Sequence, residues 1–440
     1  MFTLRQFRLH FFWMGVIFLC LNCATTYQPS GRSDAKAKIQ SLNTKLRSNP
    51  NDPTVLRDLG IAYYESEQYP AARKSLIKAF KLKPNDPQTL LYLGMTLEAE
   101  NKTKIALKIY QRYSRIPQIS PYRKALEGKY QLLSRQLIRE EIQQLVQQEQ
   151  QLGANELSPN AIAIFPFAYQ GSDPQYAALG KGIAEMMITD LSQVRNLKLI
   201  ERVRLQALID ELELDQTGLV EEETASRFGK LLRAGKIIHG NYNIQSRNKL
   251  QLELALWDMQ SQAASDLLSK DDALNNLFYL EKDLVFQVIS EMGIELTPAE
   301  REKVQRIPTK NMQAFLNYCM GLEHEDAGNF QAAAQSFQKA FQLDPSFSRA
   351  GEKAERSKDI ASVEQGTNKL LAATDHDDNR SEQPTGNTNL INDRLQNLSF
   401  SIGSNFIPGK DTRKSMEEAA TSRGGSFGDL PEPPPLPQLP

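Results

Sequence analysis

The sequence predicts all-α helical hairpins on both sides of a central α/β (α+β) domain with a mixed sheet and packed helices, followed by a disordered C-terminal tail. Three observations predict it. Leu59-Gly60 and Leu93-Gly94 stand 34 residues apart, as do Pro53 and Pro87, and Ala72 and Ala106; a fixed period of this size marks a helical repeat. Between residues 158 and 296, short apolar runs alternate with stretches of helical periodicity, the pattern of strands packed against helices. From about residue 351 the apolar content falls, and Asp, Asn, Ser, Thr and Gly dominate. Such a segment buries too little surface to offset its ordering entropy. At about 150 residues per domain, 440 residues allow roughly two to four.

The first residues read as an address. Arg5, Arg8 and His10 precede an apolar run over residues 11–21. A membrane-spanning helix needs about 20 apolar residues, so this run reads as the apolar core of a signal peptide over residues 1–22. Cys23 follows it directly, ahead of Ala24-Thr25-Thr26. A cysteine placed there resembles the processing site of bacterial lipoproteins, which implies lipid attachment at Cys23 and a membrane tether through that lipid. Such sites prefer Leu and a small residue at −3 and −1, where this chain has Cys20 and Asn22. Simple export and a short uncleaved anchor are the alternative readings.

Residues 35–152 are expected to hold two repeats and a connector helix. The first repeat reads Leu56, Leu59, Gly60 and Tyr63, then Ala72, Leu76 and Ala79, then Pro84. This resembles the tetratricopeptide (TPR) repeat. Gly60 and Ala72 are small where the two helices of a hairpin cross closely, and the larger residues fall on the seam. Asp52 and Asp86 are N-caps before a proline whose missing N–H costs nothing at the first helical position. The second repeat carries Leu90, Leu93, Gly94, Leu97, Ala106 and Tyr110, then weakens at Tyr113 and Pro117. A helix over residues 122–152, with Ile138, Ile142, Leu145 and Leu152 on one stripe, is read as a connector on the last repeat rather than a coiled coil. Residues 297–350 are read as a linker and a third pair, with Gly321, Ala333, Phe337, Ala340 and Pro345 at TPR offsets and His324 at the usual Tyr position. A lone repeat leaves its stacking face open, so this pair must pack on the central domain or on a partner.

Residues 158–296 form the expected central domain. An almost wholly apolar run over residues 160–167 reads as a buried strand. Helical stripes follow over 179–191, 203–214 and 221–232, with a short strand at 197–200. Residues 234–244 and 249–259 alternate as two strands joined by a turn at 245–248. In order and spacing these segments resemble the CsgG family of curli secretion lipoproteins, and equally the FlgO and TolB amino-terminal domains. The motif residues are Phe165, Pro166, Phe167, Gly182, Glu201, Arg202, Gly235 and Gly240. The resemblance covers about residues 160–270 and implies an envelope location and self-association. In the pore-forming member it also implies two membrane hairpins per subunit. A membrane strand needs about 9–11 residues, and only one ordinary hairpin fits between Gly240 and Trp257. The pattern over 265–294 is helical.

The candidate chemistry is sparse. Lys and Arg number 52 against 53 Asp and Glu, without the basic surplus a nucleic-acid binder carries. Three cysteines and four scattered histidines (His10, His239, His324, His376) show no metal-ligand spacing, so no metal or cofactor is expected. Gly180-Lys181-Gly182 opens a helix, but it lacks any phosphate-loop pattern and reads as close packing. Glu201 and Arg202 are neighbours that point apart, so an ion pair elsewhere is expected for them. His239 reads as a satisfied or edge histidine, and Cys319 as a buried thiol. No catalytic residue is assigned and no enzyme is expected.

In the tail, residues 395–408 are amphiphilic and fit docking on a partner. Residues 431–437 are proline-rich and read as extended polyproline II. The whole reads as an exported, lipid-anchored envelope scaffold, facing the periplasm from the outer membrane. Its TPR grooves would hold other envelope proteins, and its central domain would form a homo-oligomer. The alternatives are an oligomeric secretion pore and a periplasmic ligand-sensing module.

Overall fold

The computed structural model describes residues 31–149, 157–213, 222–245 and 248–366. Cys20, Cys23 and both tail segments lie outside them, as do Leu152 and part of the turn at 245–248. The chain divides into a unit over Met1–Thr374 and a second over Asp375–Pro440; the described residues belong to the first.

The helical part opens with α1 (Gly31–Ser48), then two hairpins, α2 (Pro53–Glu65) with α3 (Tyr69–Leu82) and α4 (Pro87–Ala99) with α5 (Thr103–Tyr110). The Asp52 carboxylate accepts hydrogen bonds from the backbone of Thr54 and Val55, and Asp86 caps α4 through Thr89. Ile39, Leu42 and Leu46 of α1 cover Leu59 and Ala62 of α2, closing the face the first repeat would otherwise expose. A 3₁₀ turn, Gln111–Arg115, leads to the 27-residue α6 (Pro121–Gln147).

The 34-residue register does not stop after the second repeat, although the sequence pattern weakens there. Pro121 stands 34 residues after Pro87, and Gly128 stands 34 after Gly94. Helix α6 is therefore the first helix of a third repeat. Gln88 donates to the Tyr122 hydroxyl, linking matching positions of successive repeats. What hid the repeat is Glu127, which sits where the earlier units have Leu59 and Leu93. Its second helix comes from far downstream: α14 (Ser348–Glu364) packs across Gly128.

The central sheet lies between these two helices in sequence. Its order is β3–β1–β4–β5, with β2 continuing along β4 and both β7 and β6 on β5. The strands are β1 (Ser158–Ile164), β2 (Ala168–Tyr169), β3 (Lys198–Leu199), β4 (Ala234–Gln245), β5 (Lys249–Asp258), β6 (Ala263–Ala264) and β7 (Leu268–Ala273). β1 runs parallel to β3 and β4, whereas β4, β5 and β7 are antiparallel, so the sheet is mixed. On one face, α7 (Leu179–Leu191) and α10 (Leu277–Glu291) bury Ile162, Ile164, Ile238, Leu252 and Leu254. On the other, α8 (Arg202–Glu211), α9 (Glu222–Leu232) and the end of α6 bury Ala163, Phe165, Ile237 and Phe228. β1 is thus covered on both faces, which explains its unbroken apolar run. Ile138, Ile142 and Leu145 of α6 join this second cluster.

After α11 (Pro298–Gln305), α12 (Met312–Asp326) and α13 (Phe330–Leu343) form the downstream hairpin. Its open face is met by the central domain: Phe315, Tyr318 and Cys319 of α12 share the cluster of α7 and α10. Among the described residues no helix is long and apolar enough to cross a membrane.

Three expectations are corrected. Residues 268–273, read as part of a helical stretch, form strand β7. The open edge of β5 pairs with them from Lys249–Ala273 to Leu254–Leu268, and tertiary pairing outweighs local pattern. Lys270, Asp271 and Asp272 give this edge the charge that discourages further pairing. The tail does not begin at residue 351, because α14 runs to Glu364. Ala350, Ala354, Ser357, Ile360, Ala361 and Val363 are its buried stripe, and Val363 meets Gly128 of α6 while Ile360 meets Leu132. Residues 297–305 are no plain linker, since Thr297 and Glu300 close a reciprocal capping box on α11.

The crossing yields two predictions. A Cβ on Gly128 would lie 2.7 Å from the Asp359 carbonyl oxygen. Gly128→Leu should therefore cost about 1–3 kcal/mol and raise amide exchange along α14 before the sheet; unchanged exchange in α14 would refute the composite repeat. At the same crossing burial raises the Asp359 carboxyl to about 7, with Lys124 opposing and Glu127 and Glu355 adding to the rise. The folded state holds a proton that the unfolded state, near 3.8, gives up. Its contribution is complete below that value and is lost as pH rises through 7. Asp359→Asn should thus raise Tm in mildly alkaline buffer and change little in acid, checked by thermal melts across that range.

Candidate functional site

The residues that converge most tightly sit where α7, α8, α12, α14 and α6 meet. Gly180-Lys181-Gly182 builds the first side of this seam. A Cβ on Gly180 would fall 1.9 Å from the Phe167 carbonyl oxygen, and one on Gly182 would fall 2.2 Å from Cys319 Sγ. The glycines let α7 press against the strand end and against α12. The Tyr242 hydroxyl accepts from the Gly180 N–H at 3.2 Å and donates to the Tyr176 carbonyl at 2.5 Å. Lys181 reaches Glu323 at 2.9 Å and Asp326 at 3.2 Å.

Arg202 is the centre of the seam. Its guanidinium donates to Asp326, to Glu325 at 2.5 Å and lies 3.4 Å from Glu185. Arg135 of α6 reaches the other Glu325 oxygen at 2.7 Å, and Lys353 of α14 approaches Glu325 at 2.7 Å. Arg349 pairs with Glu185 at 3.0 Å and also donates to Thr189. Glu185, Glu325 and Asp326 are buried. Burial opposes the charged form of Glu325, but Lys353, Arg202 and Arg135 outweigh it and hold the carboxyl far below its ordinary value. The same balance, with Lys353 first, lowers Glu185. Burial disfavours the Arg202 cation, yet Asp326, Glu325 and Glu185 raise its pKa above the usual arginine value. A second buried set joins α7 to α10, where Lys282 pairs with Asp190. Burial, then the Asp190 charge, lifts Glu281 well above its ordinary value.

The TPR signature residues repeat one contact three times. A Cβ on Gly60 would meet Leu76 at 2.5 Å, on Gly94 Tyr110 at 2.2 Å, and on Gly321 Phe337 at 2.5 Å. Leu59, Leu93, Ala72, Ala79, Ala106, Ala333 and Ala340 are buried, and Tyr63 is half-buried. Pro84 and Pro345 are exposed in the turns that end each hairpin. In the central motif, Phe165 and Phe167 lie in the clusters of opposite sheet faces, with Pro166 between them. Gly235 lets β4 approach Ser158, and Gly240 lies against Glu253 and Phe167. Glu201 is exposed at the start of α8 while Arg202 is half-buried beside it. His239 departs from the satisfied histidine expected, because neither ring nitrogen has a hydrogen-bond partner.

Arg202 forms the ion pair elsewhere that the sequence predicts for it, but little local signal points to its partners. Arg202 meets Glu325 across 123 residues, and Arg135 meets it across 190. The adjacent acids Glu325-Asp326 at a helix end were the one usable clue to those partners. Among the described residues no group of three or more His, Cys, Asp or Glu is placed to hold a metal ion.

Removing Arg202 would leave three buried carboxylates short of a partner. Arg202→Ala should cost about 3–5 kcal/mol, and Arg202→Lys should recover little, because one ammonium cannot span three carboxylates. Glu325 contributes stability above its ordinary value of 4.5, and loses it as pH falls toward its lowered folded value. Glu325→Gln should flatten the acid limb of stability; urea titrations across the acid range check both.

Residues 140–243 match the family model of the curli production assembly/transport component CsgG. The match begins in the last turns of α6 and ends within β4. No curated protein matches the sequence. Among solved structures, the chain is similar to the C-terminal domain of LpoB from Salmonella enterica, at 15% identity over 30% of this chain and 95% of that one, with a TM-score of 0.22. A tetratricopeptide repeat protein from Parabacteroides merdae shows 16% identity over 74% and 93%, with a TM-score of 0.22. Yeast Tom70 shows 13% over 75% and 64%, with a TM-score of 0.23. Residues 140–243 are a CsgG-family domain, set between helical hairpins of the tetratricopeptide type.

Proposed function

We propose that this chain is a non-enzymatic protein-interaction scaffold of the bacterial cell envelope. In this reading it is exported, lipid-anchored at Cys23 and faces the periplasm from the outer membrane. There it serves assembly or secretion of a surface structure. The observation that carries the reading is the bracing of repeats to the CsgG-family domain. Repeat surfaces bind other proteins, and here two sets of hairpins are fixed to one sheet by buried charge, which sets their relative orientation. The family match supports the envelope location and self-association of the central domain.

The scaffold is preferred to a pore because of the β4–β5 hairpin. Its core-facing side chains Ile238, Tyr242, Leu252 and Leu254 lie under α7 and α10, and Ile237 and Trp257 lie under the opposite helices. Side chains used in this way are not free to face lipid, whereas a membrane barrel needs an outward apolar band.

The test is electron microscopy of the full-length protein extracted in mild detergent, with Cys23→Ala alongside. Monomers or small assemblies, released to the soluble fraction by Cys23→Ala, are expected. Closed rings with conductance in planar bilayers would overturn the scaffold in favour of the pore. Cys23→Ala remaining in the membrane fraction would overturn the lipid anchor.

A further inference from the structure

The charge of the chain balances as a whole, with 52 Lys and Arg against 53 Asp and Glu, but it is not evenly spread. Residues 69–85 carry five cations and residues 101–126 carry seven, and neither stretch contains an acid. The first is α3 with its exit turn. The second is α5 with the 3₁₀ turn, the loop after it and the start of α6.

The helices aim these cations outward. Lys74, Lys78 and Lys81 recur at i, i+4 and i+7, on the side of α3 opposite the buried Ala72, Leu76 and Ala79. Lys104 and Lys108 stand opposite the buried Ala106, Ile109 and Tyr110 of α5. The two stretches meet at their ends: the Arg112 guanidinium lies over the Phe80 ring at 5.1 Å and donates to Asn85 at 3.4 Å. Arg73 and Lys102 share Glu100, at 2.7 and 2.8 Å. Lys74, Lys78, Lys81, Lys83, Lys104 and Lys108 are exposed and have no carboxylate partner among the described residues. Unpaired like charges at i, i+4 slightly destabilise a helix, and together they set up a positive field that draws an anionic partner.

Aliphatic side chains stand exposed among these lysines. Leu82 is 46% exposed at the end of α3, Ile105 39% on α5, and Ile119 95% in the loop after the 3₁₀ turn. This combination suits the interface of an anionic bilayer, where headgroup phosphates meet the ammonium groups and aliphatic side chains enter the acyl boundary. A nucleic acid gains little from the aliphatic side chains and finds no exposed ring for its bases, since Phe80 and Tyr113 are half-buried.

We propose that the outer face of α3 and α5 lies on an anionic phospholipid bilayer, with Lys74, Lys78, Lys81, Lys104 and Lys108 over the headgroups. The inference is independent of a lipid at Cys23, because it rests on the side chains of the repeats. It supplies a second contact that fixes which side of the repeat array faces the membrane.

The experiment mixes the full-length protein with vesicles of phosphatidylcholine alone, or of phosphatidylcholine and phosphatidylglycerol in equal parts. Lysines are acetylated with a water-soluble reagent and their reactivity is read by mass spectrometry. The five lysines should lose most of their reactivity on the mixed vesicles and keep it on the neutral ones. Lys303 of α11 and Lys339 of α13, both exposed, serve as references and should react equally on both. Replacing Lys78, Lys81 and Lys108 together by Gln should lower the excess partitioning onto mixed vesicles about a hundredfold, each lysine near an anionic surface contributing about fivefold. Surface substitutions of this kind leave stability nearly unchanged. Equal reactivity of the five lysines on both vesicles, protection shared by Lys303 and Lys339, or undiminished partitioning of the triple variant would each overturn the proposal. Protection by polyglutamate or DNA, and not by the mixed vesicles, would likewise overturn it and assign the face to another anion. Flotation with the neutral vesicles reads the Cys23 anchor separately, so its failure is distinct from failure of this surface.

Discussion

Three carboxylates, Glu185, Glu325 and Asp326, are taken out of water in this fold, and everything around them is arranged so that none is left alone. An isolated ion of this kind costs several kcal/mol to bury. Here the opposing charges come from five places: Arg135 on α6, Lys181 on α7, Arg202 on α8, and Arg349 and Lys353 on α14. No two neighbouring elements could complete the set. The seam is therefore satisfied only when the repeats, the sheet domain and the downstream hairpin are all in place, which couples their folding. Hydrophobic contact alone would hold the same helices together with less constraint on register, because a guanidinium shared among three carboxylates fixes distance and direction.

Helix α6 carries this coupling along its length. Its first half closes the upstream repeats through Tyr122, Ala125 and Leu126. Its middle crosses α14 at Gly128 and packs Leu132 on Phe330 and Ile360. Arg135 then enters the seam, and Ile142 ends the helix under the sheet. The CsgG-family match begins at residue 140, inside this helix. Repeat and domain thus share one continuous helix.

Much of the fold was legible because its causes are local. Gly60, Gly94 and Gly321 mark helix crossings, Asp52 and Asp86 mark helix starts, and the apolar run at β1 marks a strand covered on both sides. What stayed hidden has non-local causes. β7 exists because β5 offers it an edge, and its own residues, Leu-Ser-Lys-Asp-Asp-Ala, do not demand a strand. α14 looked like tail because half of its buried stripe is alanine and its contacts, Val363 on Gly128 among them, lie with a helix more than 200 residues upstream. The third repeat was masked by Glu127 at the position where its forerunners have leucine. Of the seam only an ion pair at Arg202 was legible; its partners were not, since ion pairs across such separations leave no spacing in the sequence.

The insertion of the sheet domain within a repeat also explains where the domain is open. α6 arrives at one end of the sheet because it is anchored in the repeat array, and α8 and α9 pack beside it over Ile237 and Phe165. Helices fixed at that end cannot also roof the far end of a strand twelve residues long. At about 3.3 Å per residue, β4 outruns its cover by several residues. The half-buried remainder begins at His239. The opposite face has no such gap, because α10 and the downstream hairpin both close over Ile238, Tyr242 and Leu252. One face of the sheet is thus spent on holding the molecule together, and the other keeps a stretch of polar surface bounded by rigid strands. The same constraint that locks the repeats to the domain leaves that surface open.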